Sequence, residues 1–385
     1  MDRPKLLMAC ANYWQSPLQV GSHHLARGFV AAGWDVAFVS DPISPFHLLQ
    51  GPGPELRDRF TAYLRGGIRD LDDRLWSYVP ATLLSPHNKL LLRSRWVHRQ
   101  WAALSMPNVA EVVRGRGFGK VDLLYFDSLS QNFWLDRVIR RRSVFRVADR
   151  NSGFRKFTPA MQQLEQELAT SVDSVVYSAR NLRGHVEELG AKQSLHLPNG
   201  VDFPHFQRPR PIPADLEAYP KPIAIYVGSM DVWFDFTLMD AMVAQLPHVS
   251  FVLIGPHHLA QRRLRPAPNL HLLGRRPYSE LPAYLQHADV GLIPFDVAAH
   301  AELVHTVNPL KLHEYLAAGL PVVATEWDEL VALGSPARLC RSRDEFIAAV
   351  DLAVSEPADR KLHQDYARGD GWESRVKDLI RYLGL

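Results

Sequence analysis

Cysteine, net charge and long apolar runs are all scarce in this chain, and each scarcity removes a class of protein. Only two cysteines, Cys10 and Cys340, occur in 385 residues. They lie in separate apolar runs, make no metal-ligand spacing and read as buried thiols of a reducing, cytoplasmic setting, so a disulfide scaffold is excluded. A formal net charge of +3 gives no whole-molecule attraction to nucleic acid, which is not an expected partner, and any basic feature must be local. No apolar run approaches the roughly 18 residues of a spanning helix, and the start, MDRPKLLMAC, reads as a first strand rather than a signal peptide. The chain is expected not to cross a membrane, which leaves it free to lie on one.

Other absences are local. The glycines Gly115, Gly117 and Gly119 lack the dinucleotide spacing and precede a strand instead of following one, which disfavours a nicotinamide enzyme. Asp70-Leu71-Asp72 has the spacing of a divalent-metal acid pair, but it reads as part of a charged helical run, so no metal is expected. Between Arg74 and Ala110 there is no acidic residue, while Arg74, Lys89, Arg93, Arg95 and Arg99 alternate with Trp76, Tyr78, Trp96 and Trp101. Leu90, Val97, Trp101 and Leu104 fit one helix face. Residues 74–110 therefore describe either a membrane-surface element, for an inner-membrane contact, or a packed helix with a solvated basic edge.

What is present is a repeated strand-helix pattern, in a chain too long for one core. Lys5 to Ala11, a helix from Gly21 to Ala32 closed by Gly33, and the strand Trp34 to Ser40 form a parallel unit. His23 and His24 open that helix beside the loop at the strand end, placed for substrate contact or a helix-end hydrogen bond. Val121 to Phe126 and Ser143 to Ala148 end at Asp127 and Asp149, at the same sheet edge; Asp149 suits either a general base or a loop acid. Seven prolines between Pro198 and Pro222 exclude a central strand or helix interior and mark a linker. The pattern then restarts at Ile223 to Val227. The expected fold is α/β, with an N-terminal Rossmann-like domain over 1–202, a linker over 203–222, a C-terminal Rossmann-like domain over 223–370 and a last helix over 371–385.

The most informative stretch is Asn308 to Pro321, N-P-L-K-L-H-E-Y-L-A-A-G-L-P. Asn308 reads as the N-cap, Pro309 as the first helical residue and Gly319 as the left-handed residue past the end. Leu312, Tyr315 and Leu316 share a core face, and Lys311 and Glu314 another. A lysine in the first turn opposes the helix dipole unless an anion is bound, which makes this end a phosphate seat, with Glu314 placed to accept bonds from sugar hydroxyls.

P-N-G-V-D, Y-V-G-S-M, the lysine helix and the closing W-E-S-R-V together resemble the GT-B glycosyltransferases, two facing Rossmann-like domains with a deep interdomain cleft. V-F-R-V-A-D and V-G-S-M are most similar to the xanthan-type membrane-associated glucuronosyltransferases of bacterial exopolysaccharide assembly. The resemblance implies that the second domain binds a nucleotide-diphosphate sugar, a UDP-sugar favoured, through Gly228, Ser229, Met230, Arg275, Phe295, Asn308, Leu310, Lys311 and Glu314. Phe295 would lie near the base. The first domain would bind a glycan or lipid-linked saccharide acceptor, with His23, His24, Asp127 and Arg146 as candidates and Asp149 as catalytic base. No cofactor is implied beyond the donor co-substrate. Arg275, after Gly274, stands where the related enzymes carry an acid, and Thr306 stands eight residues before Glu314, where the retaining branch carries a glutamate. Inverting, metal-independent transfer is the expectation; a retaining transferase, a sugar-nucleotide epimerase of the same fold and a silent binding subunit are the alternatives.

Overall fold

Parallel strands joined by helical crossovers build both halves of the chain. The computed structural model describes residues 3–48, 53–86, 94–153 and 157–385. They form two units: one takes in the described residues within 3–16, 20–198 and 373–385, the other 17–19 and 199–372.

The first unit carries an eight-stranded sheet. Its strands are β1 (Lys5–Cys10), β2 (Asp35–Ser40), β3 (Ile68–Asp70), β4 (Leu75–Tyr78), β5 (Lys120–Phe126), β6 (Ile139–Val147), β7 (Ser174–Tyr177) and β8 (Ser194–His196), in the order β3-β4-β2-β1-β5-β6-β7-β8. Every pair is parallel except β3 with β4. The central strands are apolar throughout because helices cover both faces, so Leu6 to Cys10 and Leu123 to Phe126 are fully buried. The second unit holds six parallel strands, β9 (Ile223–Val227), β10 (Ser250–Ile254), β11 (Leu270–Gly274), β12 (Val290–Ile293), β13 (Val322–Thr325) and β14 (Arg338–Cys340), in the order β11-β10-β9-β12-β13-β14. In both sheets the carboxyl ends of the strands form the edge at which α/β folds bind ligands.

Several expectations need correction. Asp70-Leu71-Asp72 is not helical: β3 and β4 form an antiparallel hairpin, and Leu71, Asp72 and Asp73 turn with φ of 52°, 56° and 63°. Aspartate tolerates this left-handed region because its short side chain bonds locally. Asp70 instead accepts a hydrogen bond from Trp14 Nε1 at 2.7 Å.

Residues 74–110 do not make one long amphipathic helix. Leu75–Tyr78 is a buried strand, and the helix expected around Val97 spans only Arg95–Gln100. Lys89, Leu90 and Arg93 lie outside the described residues. Trp76, Tyr78 and Trp101 belong to the core of the first unit, and Arg95 and Arg99 both pair with Glu167, Arg99 at 2.7 Å. Trp96, 58% exposed, is the one of the four aromatics left at the surface.

The proline-rich segment is not a free linker. It contains the helices Phe203–Gln207 and Ala214–Glu217, and Phe203, Phe206 and Leu216 pack into the core of the second unit. Prolines at the starts of these short helices cost nothing in hydrogen bonds, which is why the segment can both be proline-rich and pack. Apart from the short excursion at 17–19, the chain passes between units at 198–199 and again at 372–373. The last helix, Trp372–Leu383, is held to β6 by Arg142 Nε donating to Leu383 O at 3.0 Å and Arg141 to Gly384 O at 2.8 Å. These guanidinium groups satisfy carbonyls that a helix end leaves without partners.

Candidate active site

The lysine helix spans Leu310–Ala317, and Leu312, Tyr315 and Leu316 are fully buried on its core face. Burial of each such side chain contributes about 1.5 to 3 kcal/mol. The helix ends as expected, at Gly319 with φ of +78°. Its start differs: Pro309, extended at φ −80° and ψ 120°, is the flanking residue, and no side chain caps the first turn.

Asn308 is too deeply engaged to serve as N-cap. Its Nδ2 donates to Glu329 Oε1 at 3.2 Å, its Oδ1 lies 3.2 Å from His313 Nε2, and its carbonyl accepts from Asn199 Nδ2 at 2.6 Å. His313 Nδ1 in turn lies 3.3 Å from Asp370. This buried chain fixes the position of the helix start while leaving its amides without a side-chain acceptor. An anion is the complementary group for that end.

Lys311 is half-buried, its Nζ 5.0 Å from the Tyr226 ring centroid and 4.9 Å from that of Phe295. Phe295 is stacked on Trp327 at 5.5 Å, so this wall is rigid. Burial pulls the Lys311 ammonium down from 10.5 to about 8, with Glu314 opposing the shift. Burial likewise pushes the Glu314 carboxyl up from 4.5 to about 7, with Lys311 opposing. Burial therefore makes both charges costly where they stand.

Gly228 follows β9 with φ of +145°, and a Cβ there would lie 3.1 Å from Lys311 Nζ. Gly255, at the end of β10 with φ of +141°, abuts it so closely that a Cβ would stand 1.9 Å from Gly228 O. Gly255 N donates to Gly274 O at 2.9 Å, and Gly274, ending β11, has φ of +70°. Gly228 thus presents bare backbone to the lysine, Gly255 packs against Gly228, and Gly274 lies against the His257 ring, 3.2 Å from where a Cβ would stand. Tyr315 ties the helix to this edge: its hydroxyl accepts from Val227 N at 2.6 Å.

The remaining donor-side candidates divide. Leu310 opens the lysine helix, Ser229 O accepts from Tyr226 Oη at 2.8 Å, and Arg275 is exposed just past Gly274. Met230, only 1% exposed, is part of the core, and Phe295 lies beside the lysine.

In the first unit, Asp127 and Asp149 follow β5 and β6. Asp127 accepts from Ala11 N at 2.7 Å and from Ser22 Oγ, and burial raises its pKa. Asp149 is half-buried; burial raises its pKa and the Arg146 charge opposes the rise, which moves a carboxylate toward the range of a general base. Arg146 is 6% exposed and its guanidinium lies against Gly21, 2.6 Å from where a Cβ would stand.

His23 is no acceptor contact. It is fully buried, accepts from Val20 N at 3.2 Å and reaches Tyr13 O at 3.0 Å, and burial lowers its pKa to about 4. It is a neutral helix-end residue packed on Trp14 and Phe38. His24 is buried as well.

Sequence reasoning missed Asp41, which follows β2 as Asp127 follows β5. It accepts from Ser128 Oγ at 2.5 Å and Gln131 Nε2 at 3.1 Å, and burial raises its pKa to about 6. Its place just past an apolar strand was the available signal. Among the described residues no cluster of His, Cys, Asp or Glu has metal-holding geometry, and no helix is long and apolar enough to cross a membrane.

Comparison with known proteins agrees with this division. Residues 8–178 match the family described as glucuronosyltransferase GumK, N-terminal domain, and residues 221–355 match glycosyl transferases group 1. TuaH of Bacillus subtilis, described as a teichuronic acid biosynthesis glycosyltransferase, is 24% identical over 241 residues, which are 58% of this chain and 60% of that protein. Among solved structures, Anabaena HepE in complex with UDP and glucose aligns at a TM-score of 0.66 and 14% identity, over 99% of this chain and all of that one. Sucrose-phosphate synthase of Thermosynechococcus elongatus aligns at a TM-score of 0.64 and 16% identity, over 99% of this chain and 96% of that one. The chain has the GT-B fold, with a first half similar to the GumK N-terminal domain and a second half similar to the group 1 glycosyl transferases.

Proposed function

We propose that the protein transfers a sugar from a UDP-sugar to a hydroxyl of a glycan or lipid-linked saccharide, with inversion and without a metal ion. The observation that carries this reading is Lys311, held between the Tyr226 and Phe295 rings and against the side-chain-free Gly228, at an uncapped helix start. That seat suits a diphosphate, and Glu314, one turn on, suits a sugar hydroxyl. HepE, of the same fold, has been solved with UDP and glucose, in support of the choice of nucleotide.

In the proposed reaction the acceptor oxygen forms a bond to the anomeric carbon as the bond from that carbon to the diphosphate breaks. The acceptor proton passes to Asp149, and the diphosphate leaves with the electron pair. Lys311 and the first amides of its helix stabilise the departing charge, each charge-assisted bond contributing about 1.5 to 3 kcal/mol. Thr306, buried with its hydroxyl donating to Leu303 O at 2.9 Å, offers no carboxylate eight residues before Glu314, which favours inversion. For a lipid-linked acceptor in polysaccharide assembly, exposed Trp96 beside Arg95 and Arg99 is the part of 74–110 suited to peripheral membrane contact.

A panel of UDP-sugars, scored by thermal shift and then by UDP release with saccharide acceptors, tests the reading. Asp149→Asn is expected to lower turnover by about 10² to 10⁴ with donor affinity unchanged. Near wild-type turnover would remove Asp149 from the role of base, and proton exchange at C2 of the donor sugar without transfer would favour an epimerase.

A further inference from the structure

We infer that Arg276 is a positioning residue that sets nucleobase recognition by clamping the backbone on both sides of Gly274. The inference rests on the proposed donor seat. Gly228, Gly255 and Gly274 end three adjacent strands, β9, β10 and β11, all at positive φ. With strands about 4.8 Å apart, Gly274 lies about 10 Å along the sheet edge from Gly228, a reach suited to a ribose and base whose phosphates sit at Lys311. In the opposite direction the buried, stacked rings of Phe295 and Trp327 follow β12 and β13 and leave less room for a ligand. A nucleoside held at the lysine therefore extends past Gly228 and Gly255 toward residues 273–276, where the His257 ring lies against Gly274.

Arg276 holds those residues from behind. Its guanidinium donates to Leu273 O at 2.7 Å and to Arg275 O at 3.1 Å. The same group donates to Tyr284 Oη at 2.9 Å and to Asp215 at 2.7 Å, and Tyr284 Oη donates to Asp215 at 2.9 Å. One planar cation thus spans a carbonyl of β11, a loop carbonyl, a tyrosine and a carboxylate. Its forked geometry is one that lysine cannot reproduce.

Asp215 comes from the proline-rich segment, whose helix Ala214–Glu217 packs into the core of this unit. The segment accordingly has a function beyond connection: it anchors the clamp. Arg275, one residue earlier, is exposed, so the loop presents that side chain and its backbone while Arg276 takes no part in contact.

The test compares two probes by calorimetry. UDP uses the seat and the strand ends out to residues 273–276, whereas inorganic pyrophosphate uses the seat alone. Arg276→Ala and Arg276→Lys are each expected to weaken UDP by about tenfold and pyrophosphate by less than about twofold. Asp215→Asn, which keeps the side-chain volume, is expected to shift the same ratio in the same direction and guards against a folding defect in the arginine variants. Discrimination of UDP over ADP and GDP should fall in parallel. Equal weakening of both probes, or unchanged UDP affinity, would overturn the clamp while leaving the seat intact. Failure of the wild-type protein to bind either probe would overturn the donor seat itself, and the clamp with it.

Discussion

Replacing Lys311 with methionine should make the protein more stable when measured without donor, and its donor affinity worse. The ammonium is half-buried between two rings, and its fall from 10.5 to about 8 corresponds to about 3 kcal/mol of cost for the charged form at neutral pH. Packing on Tyr226 and Phe295 returns part of this as cation–π attraction, about 1 to 2 kcal/mol. Methionine keeps the apolar stem, so the variant should gain about 1 to 2 kcal/mol, or about 4 °C in Tm.

The sign with pH follows from the depressed value. The cost is present in full below about pH 8 and fades as pH rises toward the unfolded value of 10.5, so the variant's advantage should fade across that window. Removing the lysine also takes away the charge that holds Glu314 down, and its carboxyl should then stay protonated at pH 7. Meanwhile the diphosphate loses a charge-assisted bond, and UDP affinity should fall about 10- to 150-fold. Chemical denaturation at pH 7 and pH 10, paired with UDP calorimetry, reads both effects. A destabilised variant with unchanged UDP affinity would refute the reasoning.

Glu314→Gln should raise stability above neutral pH, because a carboxyl raised from 4.5 to about 7 penalises the folded state increasingly as pH rises through that range. The gain should reach about 1 to 2 kcal/mol at pH 8 and vanish near pH 4.5, as read by denaturation at the two values. Gly255→Ala places a Cβ 1.9 Å from Gly228 O at a φ of +141°, and should cost at least about 3 kcal/mol, seen as a large fall in Tm or loss of soluble protein. A Tm within about 1 to 2 °C of wild type would contradict so close a packing of Gly255 on Gly228.

What could be read from the sequence divides along physical lines. Strands such as Lys5–Cys10 and Ile223–Val227 are uninterrupted apolar runs, and the core face of the lysine helix follows from the spacing of Leu312, Tyr315 and Leu316. These features depend on periodicity alone. The start of that helix could not be read, because Asn308 is a sound N-cap by type, and only the fold brings Glu329, His313 and Asn199 to it. By sequence Trp76 and Trp101 suit a membrane surface and a core equally, and only the fold supplies the strand that buries Trp76 and the Ser130 carbonyl that accepts from Trp101 Nε1. Arg276 gave no signal, since its partner Asp215 lies 61 residues earlier in a segment whose prolines suggest a linker. The hairpin at Asp70 was hidden by charge, which suits an exposed helix and a turn alike.

A crystal structure of the protein with UDP tests the central claim most directly. The account predicts a diphosphate oxygen within about 3 Å of Lys311 Nζ and of the first amides of the helix Leu310–Ala317, with the uridine lying over Gly228, Gly255 and Gly274. UDP bound away from Lys311, or with its diphosphate directed off the helix start, would contradict it.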